Sequence, residues 1–311
     1  MVIFTNPIFR EHDTGRDHPE RPERTLHTVR QLEAAKLFDR CTLGTWSALT
    51  DDELATVHGR ELVDRIRKFG ERGGGRIEID TVVSPRSFDV AASAAGAAWA
   101  AVDDVLTGRD SRAFCLFRPP GHHATRDVCM GFCLFNHVAL AAYRAMSQHQ
   151  LDRILIVDWD VHHGNGTQDI FYTDPRVFFF SIHRYPFYPG TGSAAETGSG
   201  PGLGFTHNEP VAFGTPRVDF RARFEKALTE SAAKIRPQLV LISAGFDAHA
   251  LDPIGSLSLE VEDFITLTGL AVGIAREYCN GKIVSMLEGG YNVPILGQCV
   301  ESHIRTLLDT D

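Results

Sequence analysis

Three observations predict an α/β fold for this sequence, with a mostly parallel central sheet and helices on both faces. Short β-branched or aromatic runs recur along the chain, each followed by a Gly-rich polar loop and then a helix-length segment. Several of these runs are continuously apolar rather than alternating, the pattern of strands buried on both faces of a parallel sheet. No Pro/Ser-rich linker and no internal repeat divides the chain, so residues 1–311 read as a single domain.

In chain order, Val2–Thr5 is the first strand run and Pro22–Leu37 the first helical segment. The alanine-rich Ser87–Thr107 is helical and leads into the strand Ala113–Phe117. His137–Gln148 is a helix, followed by the strand Arg153–Val157, aliphatic from Ile154 onward. Val177–Ile182 is a strand with successive phenylalanines at Phe178, Phe179 and Phe180. The helices Val218–Ile235, Val261–Cys279 and Pro294–Leu308 alternate with the strands Leu239–Ser243 and Lys282–Leu287. The order of strands in the sheet is not readable from these patterns.

Composition narrows the function. With 43% hydrophobic, 23% charged and 9% aromatic residues, the chain is neither disordered, collagenous nor a coiled coil. At this length roughly three-quarters of the unfolded surface is buried on folding, so no staple is needed. The balance of 31 Lys+Arg against 40 Asp+Glu gives a net charge of -9, which argues against nucleic acid or an anionic membrane as the ligand. Six cysteines are too sparse for a disulfide framework, and Cys129 and Cys133 have no second pair at zinc-finger spacing. The N-terminus lacks the pattern of a secretory signal. The alanine-rich stretch between Asp89 and Asp103 is too short and too small-residued to span a bilayer. The expected compartment is the reducing cytoplasm.

Polar residues become informative by position. Phe117 leads into Arg118-Pro119-Pro120-Gly121-His122-His123, and Val157 into Asp158-Trp159-Asp160-Val161-His162-His163-Gly164-Asn165. Ile182 leads into His183, Ser243 into Ala244-Gly245-Phe246-Asp247, and Leu287 into Glu288-Gly289-Gly290-Tyr291. In open α/β sheets ligands bind at the carboxyl ends of strands, so these loops are expected to converge on one site. Asp160 and His162 leave one face of a strand end and can share a metal, with Asp247 the natural third ligand. Two adjacent imidazoles, His122 and His123, both need partners if buried, and Asp158 and Asn165 are the candidate acceptors. A metal, a proton-moving histidine pair and the phenol of Tyr291 together suit hydrolysis of an unactivated carbonyl.

At these residues the chain resembles the zinc-dependent histone deacetylase family, of arginase/deacetylase-like fold. The strings RPPGHHA, MGFCLFN, VDWDVHHGNGT, PGTG, SAGFDAH and LEGGYN carry the resemblance, which runs from His18 to Asn292. Asn165 and Glu288 resemble the class II branch and the bacterial histone deacetylase-like amidohydrolases. The resemblance implies one zinc ion on Asp160, His162 and Asp247. It implies His123 as general base and acid, with His122 on Asp158 its electrostatic partner, and Tyr291 as the oxyanion donor. It implies a structural potassium ion on oxygens of Asp158, Asp160, His162, Ser181 and Ile182, and a second involving Phe171 and Val177. Gly131, Phe132 and Tyr188 match the walls of an acyl-lysine tunnel, Asp80 its rim carboxylate, and Gly289 and Gly290 the loop beside the substrate. Arg24 matches a residue of an internal acetate-release channel.

The implied reaction is removal of acetyl or longer acyl groups from lysine side chains in peptides or proteins. The same family contains acetylpolyamine amidohydrolases, which place a carboxylate at the tunnel mouth to pair with a distal ammonium. Here the corresponding residue is the apolar Ile254, which favours acyl-lysine over small N-acylated amines. A pocket that binds acyl-lysine without turnover and an arginase-like two-manganese hydrolase are the rival readings. Oligomeric state is not legible.

Overall fold

The computed structural model describes residues 1–310. The strands are β1 (Val2–Phe4), β2 (Thr42–Leu43), β3 (Gly75–Arg76), β4 (Val82–Val83), β5 (Arg112–Cys115), β6 (Ile154–Asp158), β7 (Val177–Arg184), β8 (Thr206–Val211), β9 (Leu239–Ala244) and β10 (Ile283–Leu287). The helices are α1 (Glu23–Ala34), α2 (Asp51–Leu54), α3 (Arg60–Glu71), α4 (Ser87–Leu106), α5 (His137–His149), α6 (Asn165–Phe171), α7 (Arg217–Ile235), α8 (Val261–Cys279) and α9 (Val293–Asp309).

Eight strands form one sheet in the order β2-β1-β5-β10-β9-β6-β7-β8, with every pairing parallel. The predicted mostly parallel sheet is therefore present, and its apolar runs have the predicted cause. Along β6, Ile154 and Ile156 enter one core while Leu155 and Val157 enter the other. In β9, Leu239 and Leu241 face the first core, and Val240 and Ile242 the second. Helices α3, α4 and α5 cover the first face; α7, α8 and α9 cover the second. Small side chains let α4 pack closely, since Ala91, Ala94, Ala95, Ala97 and Ala98 are all buried.

Several features escape the sequence pattern, among them the short edge strand β2. The edge strand β8 reads Thr-His-Asn-Glu-Pro-Val, polar enough to look like a loop, and edge positions tolerate proline because one side is unpaired. Helices α2, α3 and α6 were not expected; Thr50 and Glu53 cap α2 reciprocally. The small antiparallel hairpin of β3 and β4 carries Asp80 in its turn. Among the described residues, no helix is long and apolar enough to cross a membrane.

The strands whose loops carry the chemical motifs, β5, β10, β9, β6 and β7, are consecutive neighbours in the sheet. Because they are parallel, their carboxyl ends lie along one edge.

Candidate active site at the carboxyl edge of the sheet

The floor of the site is built from the ends of β6 and β9, which pair in register with Asp158 opposite Ser243. Asp160, His162 and Asp247 are buried there, with potential ligand atoms all within 4.8 Å of one another. His162 Nδ1 lies 3.0 Å from Asp160 Oδ1 and 3.2 Å from Asp247 Oδ2. Backbone amides hold the outer oxygens: Gly289 N donates to Asp160 Oδ2 at 2.8 Å, and Val161 N to Asp247 Oδ1 at 2.9 Å. The approach of Gly289 requires its missing side chain, because a Cβ there would collide with both carboxylates.

This donor set fits a divalent cation. One imidazole nitrogen faces two carboxylate oxygens and satisfies Asp160, which leaves buried Asp247 Oδ2 without a hydrogen bond. Burial and the neighbouring Asp160 carboxylate push the Asp247 carboxyl upward. Two buried carboxylates with one unpaired oxygen are costly unless a positive charge sits between them. Two oxygens and one nitrogen also leave coordination positions open, as a catalytic zinc site does.

Beside the floor stands the histidine pair, with ring centroids 4.0 Å apart. His122 Nδ1 meets Asp158 Oδ2 at 2.9 Å, and His123 Nδ1 meets Asn165 Oδ1 at 2.7 Å. The different partners separate the two rings chemically. Burial opposes charge on His122, but the Asp158, Asp160 and Glu288 carboxylates outweigh it and raise its pKa well above the ordinary value. Burial lowers His123 well below the ordinary value, and the neighbouring His122 and His162 push the same way. Glu288 fixes the backbone of the pair, its Oε2 accepting from Gly121 N at 2.6 Å and His122 N at 3.2 Å, while Ser243 Oγ donates to its Oε1 at 3.1 Å.

A cavity of ≈ 220 Å³ reaches this floor, bordered by Asp80, His123, Gly131, Phe132, His162, Phe187, Tyr188, Ile254 and Tyr291. It is smaller than the roughly 300–1,000 Å³ of a pocket for a drug-sized molecule and suits a slender chain. Aromatic rings form the walls: Phe132 stands edge-on to Tyr291 at 5.7 Å, Tyr188 edge-on to His123 at 5.1 Å, and Phe187 stacks on His162 at 5.2 Å. Gly131 has φ +56°, and a Cβ on it would strike the His123 ring. Asp80 Oδ1 accepts from Gly131 N at 3.0 Å and from Thr81 Oγ1 at 2.8 Å, which ties the hairpin to the wall. Burial, followed by the Asp247 carboxylate, raises the Tyr291 phenol well above its ordinary value, so it stays protonated at neutral pH.

The expected residues Asp80, His123, Gly131, Phe132, His162, Tyr188, Ile254 and Tyr291 therefore border one space. Gly289 and Gly290 do not line it: Gly289 holds Asp160, and Gly290 O accepts from Arg24 Nε at 2.7 Å. Arg24 also lies off the cavity, wholly buried behind the tyrosine loop, with its guanidinium 5.0 Å from the Tyr291 ring centroid and also bonded to Glu288 O. Ser181 and Ile182 are buried in β7, where Ser181 pairs in register with Asp158 and its Oγ bonds to His183 Nδ1 at 2.9 Å.

Sequence reasoning missed several contributors. Phe187 lies in Tyr185-Pro186-Phe187-Tyr188-Pro189, and its aromatic neighbours were the available signal. Glu20 and Arg118 form a fully buried ion pair at 2.6 Å, which also holds Arg24 Nη1 at 3.1 Å from Glu20 Oε1. Arg184, at the end of β7, packs its guanidinium on Phe187 and Phe213 and donates to Gly255 O at 3.1 Å. Asp252 joins two loops of the site.

Comparison with known proteins gives a coherent set of relatives. The chain matches the histone deacetylase domain over residues 18–307. It is 35% identical over 287 residues to a histone deacetylase-like amidohydrolase of Pseudomonas aeruginosa, covering 91% of this chain and 76% of the relative. It is 40% identical over 301 residues to a polyamine deacetylase of Homo sapiens, covering 93% of this chain and 44% of that longer protein. Among solved structures, the HD domain of HDA15 superposes with a TM-score of 0.93 at 36% identity, covering 100% of this chain and 89% of the other.

Proposed function

The chain belongs to the histone deacetylase family, and from that premise we propose that it is a zinc-dependent hydrolase removing acetyl or longer acyl groups from lysine side chains of peptides or proteins. The observation that carries the reading is the narrow aromatic-walled cavity that reaches His162 of the Asp160, His162 and Asp247 cluster, with His123 and Tyr291 on its sides. Asp160, His162 and Asp247 would hold the zinc, which when bound would supply Lewis acidity toward the amide carbonyl and water. His123, its Nδ1 occupied by Asn165, is neutral at pH 7 and accepts the water proton at Nε2. It then returns that proton to the departing lysine amine. His122, kept protonated by Asp158, offsets negative charge that develops beside it. The Tyr291 hydroxyl donates to the carbonyl oxygen as it gains charge. Phe132 and Phe187 exclude water from the lysine stem and hold the amide in line.

Among the described residues, one cluster has the composition and spacing to hold a metal, which favours a single ion over an arginase-like pair. The structural potassium ions belong to the same proposal. The first would use oxygens of Asp158, Asp160, His162, Ser181 and Ile182, supported by the register of β6 with β7. The second would use Phe171 and Val177. Cytoplasmic placement is also part of the reading, supported by six free cysteines.

The second reading, an acetylpolyamine amidohydrolase, is favoured by the similarity to the human polyamine deacetylase. One feature of the mouth argues for acyl-lysine instead: Ile254, on the border of the cavity, presents no charge to a distal ammonium. Acetyl-, propionyl- and longer acyl-lysine peptides assayed beside N-acetylated polyamines are expected to be the better substrates by kcat/KM. A wild type that prefers the polyamine would exchange the two readings, and a zinc-loaded chain inert on all of them would leave a binding protein.

Ile254→Glu tests the rim. At 37% exposure, a new ion pair to a distal ammonium is worth ~1 kcal/mol or less, so the expected gain for acetylspermidine is several-fold. The carboxylate also resists desolvation by a long apolar acyl-lysine substrate. The ratio of kcat/KM for acetylspermidine to that for an acetyl-lysine peptide is expected to rise. An unchanged ratio would mean that Ile254 does not set specificity.

A further inference from the structure

Asp252 is buried between the loop that forms the rim and the loop that carries Tyr291, and its carboxylate is saturated by four backbone amides divided between them. Oδ1 accepts from Ile254 N at 2.8 Å and Gly255 N at 3.1 Å. Oδ2 accepts from Tyr291 N at 2.6 Å and Asn292 N at 3.3 Å. A second tie runs the same way, from Asn292 Nδ2 to Leu251 O at 2.9 Å. The Tyr291 ring is also packed by Phe132 and by Arg24, but neither of those contacts fixes its backbone to the rim.

We propose that Asp252 is a positioning residue that sets the tyrosine loop and the substrate rim together, so that one carboxylate governs both turnover and substrate fit. Charge-assisted hydrogen bonds to backbone amides are short and directional, and a carboxylate is the only side chain that offers both of its oxygens as acceptors without a donor. Asparagine cannot substitute. Whichever way its amide is turned, one NH2 group faces two N–H donors, and one of the two loops is released. The inference rests on the hydrolase reading and on Tyr291 as oxyanion donor.

The test is a double-mutant cycle with Asp252→Asn and Tyr291→Phe on the zinc-loaded protein, with zinc content and thermal midpoint measured for every variant. Asp252→Asn alone is expected to lower kcat roughly ten-fold or more and to raise KM for an acetyl-lysine peptide. In the Tyr291→Phe background the same change is expected to alter kcat by less than about three-fold, because the group it positions is already gone, while its effect on KM persists. If the kcat losses multiply, Asp252 acts on the fold at large and the inference is overturned. If Asp252→Asn does not fold, Asp252→Glu, which keeps both acceptor oxygens on a longer arm, enters the same cycle with the same criteria. Wild-type activity in Tyr291→Phe would remove Tyr291 from the mechanism, whereas a zinc-loaded wild type inert on every acyl-lysine peptide and polyamine would overturn the hydrolase reading itself, so the failures are distinguishable.

Discussion

Asp247→Ala is expected to lose metal and amide hydrolysis together. Asp247 supplies one of the three donors, and its Oδ2 has no hydrogen bond among the described residues to compete with a cation. Two remaining donors, Asp160 and His162, cannot hold zinc in a catalytic geometry, and metal affinity falls with ligand number. Asp247 Oδ1 also fixes the amide of Val161 at 2.9 Å, so the turn between Asp160 and His162 loosens as well. Metal analysis of the purified variant checks this directly. Full zinc occupancy in Asp247→Ala would show that another residue is the third ligand.

Tyr291→Phe is expected to keep zinc and fold while turnover falls by roughly two to three orders of magnitude, the scale for losing one oxyanion donor. Phenylalanine retains the edge-on packing with Phe132 and the place beside Arg24, since both contacts are to the ring. What disappears is the hydroxyl, which burial keeps protonated and therefore able to donate. Because the interaction is made as charge develops, kcat should fall more than KM changes. Near-normal kcat in a zinc-loaded variant would remove Tyr291 from the mechanism.

Much of the scaffold was legible because parallel strands buried on both faces have a distinctive composition. β6 and β9 are apolar at every position that the two cores claim, and only such strands read that way. The edge strand β8 was not legible for the converse reason: its exposed side leaves Thr206–Val211 polar and proline-tolerant. The candidate metal ligands Asp160, His162 and Asp247 and the histidine pair were legible because each occupies a strand end beside its own apolar run. The parts played by Asp252 and Phe187, and the bonds by which Glu288 holds the histidine loop, were not, because they depend on which loops the strand order brings together. Glu288 and Gly121 bond across 167 positions of sequence, and nothing local to either residue announces the other. The same holds for Asp252 and Tyr291, which meet only because β9 and β10 are neighbours.

The most direct measurement of the central claim is reconstitution of metal-stripped wild-type protein with zinc while hydrolysis of an acetyl-lysine peptide is followed. With one buried donor set of Asp160, His162 and Asp247, activity should rise in proportion to added zinc and break at one equivalent per chain. A break at two equivalents, or activity restored only by a pair of manganese ions, would contradict it.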